Sequence, residues 1–226
     1  MKNHHRIMLI HALTESQQPA WDAFARRWPE ADIHNLLDDS LASDLAAEGQ
    51  ITSRMMDRFL TLGRYAESTG AHDHMTDAIL FTCSAFGPAI DQVKQAVAIP
   101  VLRPNEAAFE EALKQGNRIG LIVSFKNSLP PLTHELETMA HAGGQRITIC
   151  PAVAEGALEA LKQGRPDEHD AIVARAAETL RDVDALILCQ FSLARAAARI
   201  EPVAGRVVYT TPDSAVGKIK AMLLGK

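Results

Sequence analysis

Short runs of β-branched and aliphatic residues recur along the chain at 6–11, 32–37, 77–82, 101–102, 118–123, 146–149, 184–188 and 206–209. Each is bounded by polar, Gly or Pro positions and reads as a buried strand. Between them, apolar residues return at helical spacing over 19–28, 53–68, 89–98, 106–115, 132–142, 169–181 and 214–224. Strands that alternate with amphipathic helices predict right-handed crossovers and parallel sheets covered on both faces. Ligands of such sheets bind beyond the carboxyl ends of the strands.

The pattern also repeats. AESTGAHDHMTDAILFTC (66–83) is similar to AAETLRDVDALILC (176–189): a helix end with Ala-Glu, then Asp-Ala, an apolar strand and a cysteine. Downstream, VLRPNEAA (101–108) echoes VYTTPDSAV (208–216), with Asn105 and Asp213 placed to cap the helices that follow. The expected architecture is therefore α/β with two pseudo-symmetric lobes, each a four-stranded parallel sheet flanked by helices, and an active site in the cleft between them. The expected division is 1–100 plus 210–226 for the N-terminal lobe with the first cysteine, and 101–209 for the C-terminal lobe with the second.

Composition narrows the function. The chain has 226 residues, 47% of them hydrophobic and 23% charged, which is the balance of a globular protein with a real core. A net charge of -5 and the lack of any Lys/Arg block argue against nucleic acid as a partner. No apolar stretch is long enough to span a membrane, and the run in MKNHHRIMLIHAL is too short for a secretory signal. Three cysteines beside seven methionines suggest a reducing, cytoplasmic setting and no disulfide framework. His4, His5, His72 and His74 read as scattered surface residues. The HDH at 72–74 lacks a third ligand, so no metal is expected.

The two repeated cysteines carry the chemistry. Cys83 and Cys189 each end an apolar strand just before a helical segment. There the free N–H groups of a first turn, together with the helix dipole, would favour the thiolate and draw its pKa from roughly 8.5 toward neutrality. Pro88 suits the first turn after Cys83, and Ser192 is placed to cap the Ala-rich segment after Cys189. One thiol on each side of a cleft could remove a proton from a carbon next to a carboxylate and return one on the opposite face. That chemistry needs no cofactor, but the carbanion needs donors aimed at its oxygens. Thr82, Ser84, Ser192, Thr210, Thr211 and backbone N–H groups are the candidates.

These segments resemble the aspartate/glutamate/hydantoin racemase superfamily, and the similarity extends over most of the chain. IHNLLDDSL (33–41), FTCSAFGPAI (81–90), IPVLRPNEAAFEEAL (99–113), RIGLIVS (118–124) and DALILCQFSLARAA (184–197) carry it. It is closest to a branch with Thr-Cys-Ser after the third strand. The resemblance implies a cofactor-independent racemase or epimerase acting on a small carboxylate, an amino acid or a hydantoin-like compound. It makes Cys83 and Cys189 the acid-base pair, and it implies a homodimer. Amino-acid racemases of the superfamily usually have Cys-Asn-Thr in the first lobe and Cys-Thr-Glu or Cys-Thr-His in the second. Here Cys83-Ser84-Ala85 and Cys189-Gln190-Phe191 stand instead, which alters the groups that recognise substrate. The superfamily also holds arylmalonate decarboxylases and maleate isomerases, which work through one essential cysteine. A cleft that binds a small ligand without turnover is a third possibility.

Other residues carry two readings. Arg103 fits a clamp on a substrate carboxylate or an ion pair with Glu106. His11 ends the first strand, facing the site or satisfied near the core. Ser124 and Asn127 follow the fifth strand as hydrogen-bond donors, whereas Lys126 reads as solvent-exposed. Asp38 and Asp39 cap and bond a loop, Cys150 is structural, and Met55, Met56, Phe59 and Leu62 form a packing stripe.

Overall fold

The computed structural model describes residues 4–71 and 74–225. The strands are β1 (Arg6–His11), β2 (Asp32–Leu37), β3 (Gly70–Ala71), β4 (His74–Met75), β5 (Ala78–Phe81), β6 (Val101–Leu102), β7 (Arg118–Val123), β8 (Thr148–Val153), β9 (Ala185–Leu188) and β10 (Val207–Thr210). The helices are α1 (Gln17–Arg27), α2 (Ser40–Glu48), α3 (Ser53–Glu67), α4 (Gly87–Ala96), α5 (Glu106–Gln115), α6 (Leu129–Ala142), α7 (Ala157–Lys162), α8 (Pro166–Glu178) and α9 (Thr211–Leu224). Short 3-10 turns precede α1, α4 and α6, and a nine-residue one, Phe191–Arg199, follows β9.

The chain forms two compact units, one of Met1–Pro104 with Ala215–Lys226 and one of Asn105–Ser214. Each holds a four-stranded parallel sheet, ordered β2-β1-β5-β6 in the first and β10-β9-β7-β8 in the second. Val101 and Leu102 pair with Ile79 and Leu80, so β6 belongs to the first unit rather than to the lobe expected to start at 101. Thr210 pairs with Leu188, which keeps the end of β10 in the second. Helix α9 begins in the second unit and ends in the first.

Both sheets start from the same device. Asp77 Oδ2 accepts the Arg6 N–H at 3.0 Å, and Asp184 Oδ2 accepts the Arg118 and Asn117 N–H groups at 2.8 Å. The backbone N–H groups of Asp77 and Asp184 in turn donate to the carbonyls of Arg6 and Arg118, each at 2.8 Å. These carboxylates fix the register of β5 on β1 and of β9 on β7. A slip of one residue would send every following side chain to the wrong face.

Alternation then sorts the core. In the second unit Ala185 and Ile187 face Phe109 of α5 with Leu132 and Leu136 of α6, whereas Leu186 and Leu188 face Val173 and Ala177 of α8. In the first unit Ile79 and Phe81 face Phe59 of α3 and Ile90 and Val93 of α4. The Phe59 ring stands 5.4 Å from Phe81 and 4.7 Å from Phe86, so the predicted stripe on α3 is core packing.

Two local expectations fail for identifiable reasons. Strand β8 runs on through Pro151 because it lies at the sheet edge, where a missing N–H breaks no ladder, and Cys150 is therefore mid-strand. His5 is not a surface residue: its ring lies 5.7 Å from Trp28, and its Nδ1 lies 3.3 Å from Asp77 Oδ2.

Candidate active site

Cys83 follows β5 by two residues. It is half-buried and stands at the N-terminus of the Ser84–Phe86 turn, beyond which Gly87 and Pro88 open α4. Its side chain continues the face of Ile79 and Phe81 and packs beside that cluster. A backbone hydrogen bond at Ala85 supports the thiolate, as the helix-start reading requires. Burial outweighs it and pushes the thiol up to about 11, so the expected shift toward neutrality is reversed. Ser84 and Ala85 lie on the turn, half-buried.

Cys189 is different. It is fully buried and belongs to the cluster of Phe109, Leu121, Leu132 and Ile187, and its Sγ lies 3.5 Å from the Ile187 carbonyl. Burial, with the Glu135 charge adding to it, holds this thiol far above its ordinary range, and a backbone bond at Ile122 offsets only part.

Register explains the contrast. Phe81 pairs with Ile10, and the next N–H, that of Thr82, donates to Ile10 O at 3.0 Å. Leu188 pairs with Ile122, and the next N–H, that of Cys189, donates to Ile122 O at 2.9 Å. Cys189 is therefore the counterpart of Thr82, and Gln190 is the counterpart of Cys83. From Asp77 to Cys83 is six residues, and from Asp184 to Cys189 only five. The two sulfurs leave their sheets on opposite faces. The expected equivalence of the cysteines does not hold within these frames.

Gln190 is a clamp. Its Oε1 accepts the Ser124 N–H at 2.9 Å, and its Nε2 donates to Ser128 Oγ at 3.0 Å, fastening the loop after β7. Lys126 and Asn127 lie exposed on that loop, whereas Ser124 is half-buried. Ser192 is buried in the Phe191–Arg199 turn, whose start has no side-chain cap, so its expected capping role is absent.

The threonines of the second unit are committed locally. Thr210 Oγ1 donates to Asp213 Oδ2 at 2.7 Å and accepts the Asp213 N–H at 3.4 Å, so Thr210 rather than Asp213 caps α9. Thr211 is fully buried and donates to the Leu188 carbonyl at 3.3 Å. Asn105 makes no capping bond on α5. Its Nδ2 instead donates to the Cys189 carbonyl at 2.8 Å, a tether that the sequence reading missed.

Arg103 forks onto Asp91, with Nε 2.7 Å from Oδ1 and Nη2 on Oδ2, and lies over Gly87. The Asp91 carboxylate of α4 is a partner that the sequence reading missed. Asp38 accepts from Ser40 Oγ and from Arg58 Nη2, both at 2.6 Å, which fastens the start of α2. His11 is fully buried and bonded through both ring nitrogens, to Thr82 Oγ1 and to Asn35 Oδ1, each at 2.9 Å. Burial lowers its pKa against the opposing Asn35 bond, which favours the neutral ring. Asn35 was not foreseen, although a polar residue inside IHNLL was its signal.

Among the described residues no group of three His, Cys, Asp or Glu side chains is placed to hold a metal ion, and His72 and Asp73 lie outside them. Among the same residues no helix is long and apolar enough to cross a membrane.

A family model described as Asp/Glu/Hydantoin racemase matches residues 28–219. No curated protein sequence matches. Among solved structures, a glutamate racemase from Bacillus anthracis is similar at TM-score 0.70 and 13% identity, covering 99% of this chain and 83% of that one. The Picrophilus torridus aspartate racemase is similar at TM-score 0.70 and 15% identity, covering 98% of this chain and 95% of that one. An allantoin racemase from Pseudomonas fluorescens gives TM-score 0.63 and 19% identity, covering 97% and 92%. At such identities the likeness is one of fold. It joins a family match over most of the length, and the chain belongs to the Asp/Glu/hydantoin racemase family, a family of isomerases.

Proposed function

We propose that this chain is a cofactor-independent racemase or epimerase that moves the proton on the carbon beside the carboxyl or ring carbonyl of a small carboxylate, amino acid or hydantoin-like compound. The observation that carries the reading is Cys83: a half-buried thiol at a strand's carboxyl end, with the Ala85 backbone on its sulfur, in a chain of this family. As thiolate, Cys83 takes the α-proton and becomes a thiol, and the electron pair left on carbon delocalises into the carbonyl. Ser84 and the N–H groups of the turn are the donors nearest in sequence for the resulting oxyanion. A proton returned to the opposite face completes the inversion, and Cys189 is the proposed donor.

A second reading is favoured by one observation. Cys189 is fully buried and is the register counterpart of Thr82. In that form Cys83 works alone, as the proton donor of a decarboxylase-like lyase or as the nucleophile of a cis-trans isomerase.

Deuterium uptake at the α-carbon from D₂O, followed over glutamate, aspartate, hydantoins and allantoin, tests both. Loss of uptake in both Cys83→Ser and Cys189→Ala supports the two-thiol form. Loss in Cys83→Ser alone supports a site that works through one thiol, and turnover of an arylmalonate or of maleate in place of any uptake supports the second reading. Full uptake in Cys83→Ser would falsify the assignment of this thiol.

A further inference from the structure

A polar chain runs from the surface into the core of the first unit. Asn35 Oδ1 lies 2.9 Å from the Trp21 indole Nε1 and 2.9 Å from His11 Nε2, and His11 Nδ1 lies 2.9 Å from Thr82 Oγ1. An indole N–H only donates, so the amide atom it meets is the carbonyl oxygen. A second group on that oxygen must donate as well. His11 therefore carries its proton on Nε2, and its Nδ1, as the other nitrogen of a neutral ring, accepts from the Thr82 hydroxyl. One donor-only side chain at the surface fixes an amide, then a tautomer, then a hydroxyl.

The second unit is an internal control. By register, Val123 stands for His11, Cys189 for Thr82 and Pro151 for Asn35. Val123 and Cys189 are fully buried and apolar, and β7 and β9 pair as β1 and β5 do. The fold does not need polar groups at these places, and burying them costs free energy that an apolar pair avoids.

We infer that Trp21, Asn35 and His11 are positioning residues that hold Thr82, the residue before Cys83, with its hydroxyl proton committed inward. Thr82 is then pinned by its N–H on Ile10 O at 3.0 Å and by its hydroxyl, whose nearer acceptor is His11 Nδ1 at 2.9 Å and whose farther one is Ile10 O at 3.4 Å. The strand end that presents Cys83 is fixed, and Thr82 Oγ1 keeps only lone pairs for any further partner. The functional half of this inference rests on the reading of Cys83 as the working thiol.

The test uses one measurement that needs no turnover and one that does. Nitrogen-15 NMR of the His11 ring is expected to place its proton on Nε2 in the native protein, with a mixture of tautomers in Trp21→Phe. A native ring protonated on Nδ1 overturns the inference. The double variant His11→Val, Thr82→Val copies the apolar solution of the second unit. Its melting temperature is expected to hold or rise, while deuterium uptake into whichever of glutamate, aspartate or allantoin the native protein labels falls roughly tenfold or more, in kcat rather than KM. Unimpaired uptake, or a drop in melting temperature with unchanged uptake per folded molecule, overturns it. Should the double variant not fold, Trp21→Phe at its partly exposed site carries the same kcat test. If the native protein labels none of the three compounds, the thiol reading fails, whereas the ring measurement still decides the relay.

Discussion

Gln190 holds in the second sheet the place that Cys83 holds in the first. Both are the second residue beyond the last ladder pair on Ile122 or Ile10, and both open a 3-10 turn. One side chain is a half-buried thiol, and the other is an amide spent on Ser124 and Ser128. The two halves share a frame and diverge at the position that would do chemistry.

That divergence predicts unequal thiols. With Cys150 replaced by serine, iodoacetamide should label Cys83 slowly, since a pKa of about 11 leaves about one thiolate per thousand at pH 8. Labelling should climb about tenfold per pH unit until pH approaches that value. Cys189 should stay unlabelled until the protein unfolds. The Cys83 thiol also ties stability to alkali. Its folded pKa lies above its ordinary value, so the unfolded chain loses that proton first. Its contribution is whole below about pH 9 and declines as the pH climbs toward about 11. Urea titrations across that window should show a steeper loss in the parent than in Cys83→Ser, which keeps the raised Cys189 thiol.

Gln190→Cys should create a third labelled thiol in a protein that keeps Cys83 and Cys150. The substitution also removes the acceptor of the Ser124 N–H and the donor to Ser128 Oγ, whose own hydroxyl still donates to the Phe125 carbonyl. A stability loss of about 1 kcal/mol by urea unfolding is expected, the usual worth of neutral hydrogen bonds. A Gln190→Cys thiol as unreactive as Cys189 would contradict the register equivalence.

Gly63 reports on how closely α3 and α4 approach. A Cβ at this position would stand 2.3 Å from Val93 Cγ1. Gly63→Ala gains helix propensity of about 1 kcal/mol but overpacks the contact, which costs about 1–3 kcal/mol. A net loss of stability is expected, and the double variant Gly63→Ala, Val93→Ala should recover part of it.

Asp170 joins α8 to the turn after β9. It lies 2.7 Å from His169 Nδ1 and accepts from Arg195 Nε at 2.8 Å. Burial alone would raise its pKa, but the Arg195 and His169 bonds win and hold it below the ordinary carboxylate range. A depressed carboxyl binds protons less well than its unfolded counterpart, so its stabilisation is whole above about pH 4 and fades as acid protonates it. Asp170→Asn should cost about 2 kcal/mol at neutral pH, the worth of charged hydrogen bonds, and should flatten the acid limb of a stability–pH curve.

Strands and helices were legible because burial on both sheet faces writes continuous apolar runs, as in RIGLIV and DALIL. The hairpin of β3 and β4 and the short α2 and α7 were not, since two-residue strands and helices of nine and six residues are too short to show a period. At the site, Cys83 was found from its place at a strand end. The burial of Cys189 was also written in the chain, in the count from Asp to Cys, but matching cysteine to cysteine concealed it. The reversed pKa of Cys83 was not written there: motif and turn argue for a thiolate, and only three-dimensional packing reveals how much desolvation opposes it. Likewise, no spacing joins Trp21 to Asn35 or Asn105 to Cys189.

The passage of α9 from one unit into the other has a consequence for biosynthesis. All of Asn105–Ser214 leaves the ribosome before Ala215–Lys226, which the first unit needs. The half made last is thus complete first, and the half made first must wait, with a helix missing, until Ala215–Lys226 has been made. Truncations just after Ser214 should therefore spare the second unit and leave the first, with its thiol, unfinished.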